Sequence, residues 1–438
     1  MIDKLASLPH EAADTLARPF ARFLKIEAAA GALLFLAVLL ALGLANSPWH
    51  RVFLDFWETR IGLTFGSWDF SRSLRHWVND GLMTLFFFVL SLELKREIVL
   101  GELRNPRQVA LPLAGAVGGM VVPVAMYLAL MSGESGLHGW GTVMATDTAF
   151  VIGCLALFGN RVPPTLRLFL LSLAIFDDVG AILVVALGYG EALNWSALGV
   201  GLLGIGAVAS ASRLGIRSVP VYSLLGVGIW LSVDASGVHA TIAGVILGLM
   251  TPTRVWVSDA RLRGILGRLL AHPAGEHWSG DTTERHDLLQ AGAAVTESVS
   301  PVERLEMILH PWVGFAIMPI FALANAGMTF QGADFQQTVT LAVIAGLVLG
   351  KPIGVLGFSW LAVRSGIAVL APGLSWPFIV AGSFLAGIGF TMSVFIADLA
   401  FDATMLNAAK LGILSGSAFA ATIGTLILLQ LTRLETRT

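Results

Sequence analysis

"LSLAIFDDVGAILVVAL", residues 171–187, is apolar enough to lie in lipid except for two adjacent aspartates, Asp177 and Asp178. A carboxylate near the centre of a bilayer costs roughly 2.5–3.5 kcal/mol on insertion scales. A chain that keeps two of them there has a use for them. The flanking residues extend the apolar run to about 165–188, the length of a membrane-spanning helix.

The rest of the chain repeats that pattern. Of 438 residues, 56% are hydrophobic and only 13% charged, about half the charged fraction of a soluble globular protein. Apolar stretches of spanning length recur from end to end, which defines a polytopic, all-α membrane protein. Twelve spans are expected, near 24–45, 76–99, 108–131, 140–158, 165–188, 195–212, 217–233, 237–252, 304–327, 338–363, 374–397 and 405–432. The first is too long for a signal-peptide core and reads as an anchor. Cys154 is the single cysteine, so no intramolecular disulfide forms.

Lysine and arginine sort the connections into two sides. Lys4, Arg18, Arg22 and Lys25 precede the first span. Every second connection afterwards is also basic: Lys95, Arg96, Arg104 and Arg107; Arg161 and Arg167; Arg213 and Arg217; six arginines between 254 and 304; Arg364; Arg433 and Arg437. The alternate connections, among them "SGESGLHG", the turn around Glu191, "DASG" and "TFQGADFQQ", carry no Lys or Arg. Only the first departs, with Arg51, Arg60, Arg72 and Arg75. The positive-inside rule makes both termini cytoplasmic, with 21 of 27 basic residues inside. Residues 60–72 ("RIGLTFGSWDFSR") read as an external hairpin with Gly66-Ser67 at its turn. Residues 253–303 read as a cytoplasmic loop with an amphipathic stretch near 259–270. No nucleic-acid motif or phosphate-cradling glycine loop occurs, and the expected surroundings are membrane lipid.

Four ionisable groups fall near mid-span: Asp147, Asp177, Asp178 and Lys351. A lone buried charge can simply join two helices; three carboxylates and an ammonium at matching depth point to an ion pathway. Successive residues on a helix point about 100° apart, so one of Asp177 and Asp178 can pair with Lys351 while the other faces Asp147. The excess of carboxylate suits a hard monovalent cation, Na⁺ or Li⁺. The same oxygens take protons, and neighbouring carboxylates titrate as a coupled unit. A site that holds a cation or protons, but not both, exchanges them.

Two spans carry breaks in their pattern. Thr146, Asp147 and Thr148 compete for backbone hydrogen bonds at mid-span, and Gly387 and Gly389 interrupt the eleventh span. "AGAVGGMVVPV" (114–124) and "AGLVLGKPIGV" (345–355) agree at five of eleven positions, with Met120 opposite Lys351. The first span of that pair starts inside and the second outside, so the repeat is inverted.

"ATDTAFVIG", "RVPPTLRLFLLSLAIFDDVGAI", "SGVHATIAGVILG", "LHPWVGFAIMPIFALANAG", "GKPIGV" and "GIGFTMSVFIA" together resemble, in order, the sodium/proton antiporters of the NhaA type. The likeness runs from about residue 20 to 430. It implies twelve helices with inverted repeats, in which spans 4 and 11 are broken and cross. It implies an electrogenic antiporter of a bacterial inner membrane, not an enzyme, exchanging cytoplasmic Na⁺ or Li⁺ for external H⁺ and serving pH and sodium homeostasis. No cofactor is implied. Asp147 and Asp178 become the principal cation carboxylates with Thr146 beside them, and Asp177 pairs with Lys351. A pH response is implied for Glu93, Glu97, His239, Glu306 and His310, and the hairpin implies a homodimer. Asp80 is matched as well. Met307 departs from the pattern, which often has histidine there, and the oxygens of Asp398 and Thr148 have no assigned place. A sodium-coupled solute symporter of similar fold is the alternative. A membrane aspartyl protease needs Gly-x-Gly-Asp, and "MATD" and "AIFDD" lack it.

Overall fold

The computed structural model describes residues 27–65, 68–101, 106–190, 192–216, 218–270, 282–329 and 332–435. Several positions read above lie outside the described residues: Lys4, Arg18, Arg22, Lys25, the turn pair Gly66-Ser67, Arg104, Glu191, Arg217, residues 271–281 of the loop and Arg437.

The chain is helical almost throughout. In order it forms α1 (Glu27–Ala45), α2 (His50–Glu58), strands β1 (Arg60–Phe65) and β2 (Trp68–Ser73), α3 (Met83–Val99), α4 (Pro106–Leu130) and α5 (Thr148–Ala156). Then follow α6 (Pro164–Gly188), α7 (Trp195–Arg213), α8 (Val219–Asp234), α9 (Thr241–Met250), α10 (Asp259–Leu270), α11 (Thr282–Thr296), α12 (Pro301–Trp312) and α13 (Met318–Asn325). The last third is α14 (Thr338–Ala345), α15 (Lys351–Arg364), α16 (Trp376–Ala386), α17 (Phe390–Ala400) and α18 (Ala403–Glu435). Among the described residues, seven helices are long and apolar enough to cross a membrane, or up to nine if each of two bent pairs is one span. Large apolar side chains such as Leu36, Leu203 and Leu224 lie exposed on the outer surface, as a lipid-facing wall requires. This is a polytopic helical membrane protein.

Residues 253–303 contain two helices, α10 and α11. The first lies on the amphipathic stretch. The second had no periodic apolar signal, although Glu284, Arg285, Leu288 and its alanines are all good helix formers. Strands β1 and β2 pair antiparallel from Arg60↔Ser73 to Phe65↔Trp68.

The two repeat segments meet face to face. Gly118 on α4 and Gly354 on α15 lie so close that a Cβ on either would fall 2.0–2.2 Å from the other's carbonyl oxygen. A Cβ on Gly350 would sit 2.7 Å from the Cα of Pro123. Only glycine permits this approach, and the contacts run antiparallel along the two helices.

Three spans loosen into a π-helical turn: Trp77–Leu82 before α3, Val313–Ile317 between α12 and α13, and Gly346–Gly350 before α15. Each shifts the register of the side chains after it. The last delivers Lys351 into the protein core, and the first carries Asp80. Two other spans stop outright. A 3₁₀ segment, Leu137–Val143, is separated from α5 by residues 144–147, and α16 and α17 are separated by residues 387–389 with a bend of 42°. One apolar core packs Leu34, Leu155, Phe169, Leu173, Ile379 and Leu385; a second packs Phe87, Tyr127, Val143, Phe321 and Phe395. The two interruptions lie between them.

Candidate functional site

The two interruptions touch. The backbone N–H of Asp147 donates to the carbonyl of Ile388 at 2.6 Å. A Cβ on Gly389 would lie 3.1 Å from the carbonyl oxygen of Ala145, and one on Gly387 would lie 2.4 Å from that of Leu347. Gly389 thus sits tight against the other interruption, while Gly387 is demanded by the close approach of the π-helical turn before α15. Unwound backbone at this depth is tolerable because it is buried in protein and its polar groups find partners.

Asp147 supplies several of those partners. It is the N-cap of α5, its Oδ1 accepting from the N–H of Phe150 at 3.2 Å. Its Oδ2 accepts from the N–H of Thr391 at 3.0 Å and from the Thr391 hydroxyl. Thr391 is the second residue of α17, so one carboxylate satisfies the N-terminal ends of two half-helices, where the helix dipoles favour negative charge. The opposite charge stands at the opposite kind of end. Lys351 Nζ donates to the carbonyl of Met144, which closes the 3₁₀ segment, and is fully buried.

Of the two adjacent aspartates on α6, Asp177 pairs with Lys351, with Oδ2 2.8 Å from Nζ. Thr146 Oγ1 lies 2.6 Å from the same Oδ2 and 2.8 Å from the carbonyl of Ala386. Thr146 thus meets Asp177 and not Asp178. The other oxygen of Asp177 is buried without a hydrogen-bond partner. Asp178 is 4% exposed and lies in the electrostatic field of Asp177, Asp147, Lys351 and Glu93. Three buried carboxylates against one ammonium leave the cluster with room for a positive charge.

The remaining residues split between two ends of the molecule. On α3 and α12, Arg96 bridges Glu97 at 2.7 Å and Glu306 at 2.8 Å, and Glu93 interacts with both Arg96 and Glu306. Asp178 also feels the charge of Glu93. His310 lies on the same helix as Glu306 but is exposed, with no hydrogen bond or ion pair to the cluster among the described residues. Met307 also faces outward, 63% exposed. His239 is not part of this group. It stands at the other end beside Asp80, with Nε2 3.6 Å from Oδ1. Thr148 opens α5, half-buried.

Two residues escaped the sequence reading. Thr391 is the first hydroxyl after the Gly387/Gly389 break, and free N–H groups just after a break are the signal that marks it. Lys410, near the start of α18, carries no signal of its own, since a lysine one or two turns into a span can be an interfacial anchor. It is 2% exposed and pairs with Asp398 at 2.8 Å, which gives the unassigned Asp398 oxygens their place.

Comparison with known proteins bears on these charges. Residues 21–428 match the family described as Na⁺/H⁺ antiporter 1. The chain is similar to the Na⁺/H⁺ antiporter NhaA of Rhizobium meliloti (strain 1021), 60% identical with 99% of each chain covered. It is similar to Na⁺/H⁺ antiporter NhaA 2 of Acidiphilium cryptum (strain JF-5) at 57%, covering 97% of this chain and 95% of that one. It is also similar to Na⁺/H⁺ antiporter NhaA 2 of Vibrio vulnificus (strain CMCP6), 54% identical with 97% and 95% covered. None of these three is a solute symporter.

Proposed function

The chain belongs to the Na⁺/H⁺ antiporter family and is a transporter that exchanges Na⁺ for H⁺, and from that premise we propose how its buried charges carry out the exchange. Asp178 and Asp147 are the principal cation ligands. Sodium or lithium, as hard ions, take their carboxylate oxygens; when the cation leaves, the same oxygens take protons. Because the two occupancies compete for one set of atoms, the site returns across the membrane loaded with one or the other. That is antiport without any cofactor.

Asp177 and Lys351 make the exchange electrogenic. A cation arriving beside Asp178 competes with Lys351 for Asp177. Once its partner is drawn away, the ammonium sheds a proton, so more protons move in than alkali cations move out. Thr146 holds Asp177 in place. The crossed breaks let the two half-helix pairs tilt around the site, alternating its access between the sides. Twelve spans in two inverted repeats are the frame for this movement, and the antiparallel glycine contact between α4 and α15 supports that symmetry.

The protein lies in a bacterial inner membrane with both termini cytoplasmic. Its 60–72 hairpin is external and joins a second copy as a homodimer, while residues 253–303 form a cytoplasmic loop. Exchange switches on at alkaline pH through Glu93, Glu97 and Glu306, with Glu93 passing the change to Asp178; His239 and His310 are secondary to this. Its role is pH and sodium homeostasis.

The observation that carries the reading is Asp178, buried within the field of two other carboxylates beside the touching breaks. The test is proton flux in proteoliposomes on adding Na⁺, Li⁺ or K⁺ from acid to alkaline pH, with Asp178→Asn in parallel. Flux driven by Na⁺ or Li⁺ in the wild type and absent in Asp178→Asn is the expected result. Undiminished flux in that variant removes Asp178 from the exchange.

A further inference from the structure

A second set of ionisable groups lies at the far end of α3 from Glu306, about 24 Å along the helix from Arg96 at the usual rise per residue. Asp80, in the π-helical turn, is 9% exposed. His76, one turn earlier, places Nε2 2.8 Å from Asp80 Oδ2. Asp234 is the last residue of α8, and one ligand atom from each of His76, Asp80 and Asp234 lies within 4.8 Å of the others. His239, in the connection from α8 to α9, brings its Nε2 to 3.6 Å from Asp80 Oδ1 and interacts electrostatically with all three.

The chemistry of this set differs from that of the exchange site. Asp147, Asp177 and Asp178 offer oxygen alone, which suits an alkali cation. Here two imidazole nitrogens converge with two carboxylates, and imidazole selects first-row transition cations over Na⁺. The second histidine is also oriented for such a role. His239 Nδ1 lies 2.8 Å from Thr241 Oγ1 and accepts from the backbone N–H of Thr241 at 3.4 Å, which holds the ring with Nε2 directed at Asp80, where a cation would replace the Nε2 proton. The ring edge packs on Phe395 of α17 at 5.5 Å between centroids, which limits its rotation. Arg72 occupies one oxygen of Asp234 at 3.1 Å and leaves the other open. A tetrahedral zinc site holds its ligand atoms about 3.3 Å apart, so the His76, Asp80 and Asp234 atoms, within 4.8 Å of one another, and His239 beside Asp80 must draw together to close on a metal.

We propose that His76, Asp80, Asp234 and His239 form a binding site for a divalent transition cation such as Zn²⁺, separate from the site of exchange. The ion ties the start of α3 to the end of α8 and fixes His239 against α17, the half-helix that follows the break.

The test uses full-length protein without a polyhistidine tag, stripped with a chelator and titrated with Co²⁺ and then Zn²⁺. One equivalent of Co²⁺ is expected to bind with the intense visible absorption of four-coordinate cobalt and to be displaced by Zn²⁺. The chain has nine histidines, so stoichiometry alone does not assign the site. His76→Gln and His239→Gln are each expected to lower the affinity at least tenfold, whereas Asp178→Asn leaves it unchanged. Sodium-driven flux of His76→Gln in the presence of chelator confirms that this variant is folded. X-ray absorption of the zinc-loaded wild type reads the ligands without any substitution, with two imidazoles and no sulfur expected. Absence of saturable binding, binding that survives both histidine substitutions, loss of binding in Asp178→Asn, or a sulfur ligand from Cys154 would each overturn the proposal.

Discussion

Lys351 meets Asp177 at 2.8 Å and Lys410 meets Asp398 at 2.8 Å, and both lysines are buried, yet the surroundings of the two pairs differ. The first is fully buried between two unwound spans, and its lysine also donates to a carbonyl at a helix end. Its aspartate keeps one oxygen without a partner, and the next residue is a second buried carboxylate. The second pair joins α18 to the far end of α17, away from the break. The free side of Asp398 faces the amide of Asn79 at 3.4 Å. Asn79 and Asn325 in turn exchange amide hydrogen bonds, at 2.6 and 3.3 Å. Bond length does not separate the two pairs. What separates them is how many of the remaining lone pairs are already satisfied, because an unsatisfied buried oxygen has a reason to bind something else.

The most direct way to break this contrast is to neutralise both members of each pair. Asp177→Asn with Lys351→Met is expected to reduce Na⁺-driven proton flux in proteoliposomes to the level of empty vesicles. Asp398→Asn with Lys410→Met is expected to leave flux within about twofold, since replacing a complete buried pair by neutral groups is often close to neutral in stability. Equal losses in the two double variants would erase the distinction.

How much of this was legible in the sequence follows from the same contrast. Asp177, Asp178, Asp147 and Lys351 stand out because each lies where only lipid-compatible residues belong. The glycine- and threonine-rich breaks and the two glycine segments were visible for the same reason, as small or polar residues at mid-span. Asp398 stands out as an oxygen without a place and Lys410 does not stand out at all, because near the end of a span a charge has an ordinary interfacial explanation. Nothing in a single sequence says that these two meet. Nor does spacing decide between Asp177 and Asp178 as partner of Lys351. The choice depends on the π-helical turn at Gly346–Gly350, which rotates everything after it. A pattern of 3.6 residues carries no mark of that extra residue.

Single substitutions sharpen the contrast on the structural side. Lys410→Met leaves Asp398 buried with only an amide at 3.4 Å beside it. Removing one member of a buried pair costs about 3–5 kcal/mol, and with the Asp398 side chain 11% exposed the lower end of that range is expected. The melting temperature in detergent should fall by several degrees while flux per folded molecule stays near wild type. A variant that melts normally but loses exchange would move Lys410 into the transport machinery.

Asn79→Ala should have a smaller effect of the same kind. Asn325 is fully buried, and without Asn79 its amide keeps only the 3.1 Å bond to the carbonyl of Phe321. Leaving a buried polar group unsatisfied costs about 1–3 kcal/mol. Adding Asn325→Leu, which removes the stranded amide, should restore part of the lost melting temperature. If it restores none, the amide pair is not what holds this region together.

The smallest effect is expected at Thr391, and its signature should be the reverse. Thr391→Val keeps the shape of the side chain and the backbone N–H bond to Asp147, but deletes the hydroxyl that also donates to Oδ2. Because α17 keeps its N-terminal partner, the fold loses little and the melting temperature should hold. The carboxylate, however, loses one of the two donors that fix Oδ2, and a ligand oxygen free to turn holds a cation less well. The Na⁺ concentration for half-maximal flux should rise roughly tenfold, equivalent to about 1.4 kcal/mol. An unchanged sodium dependence would mean that Asp147 serves the two half-helix ends alone. The cation would then be left to Asp178 and whichever oxygens the moving helices bring to it.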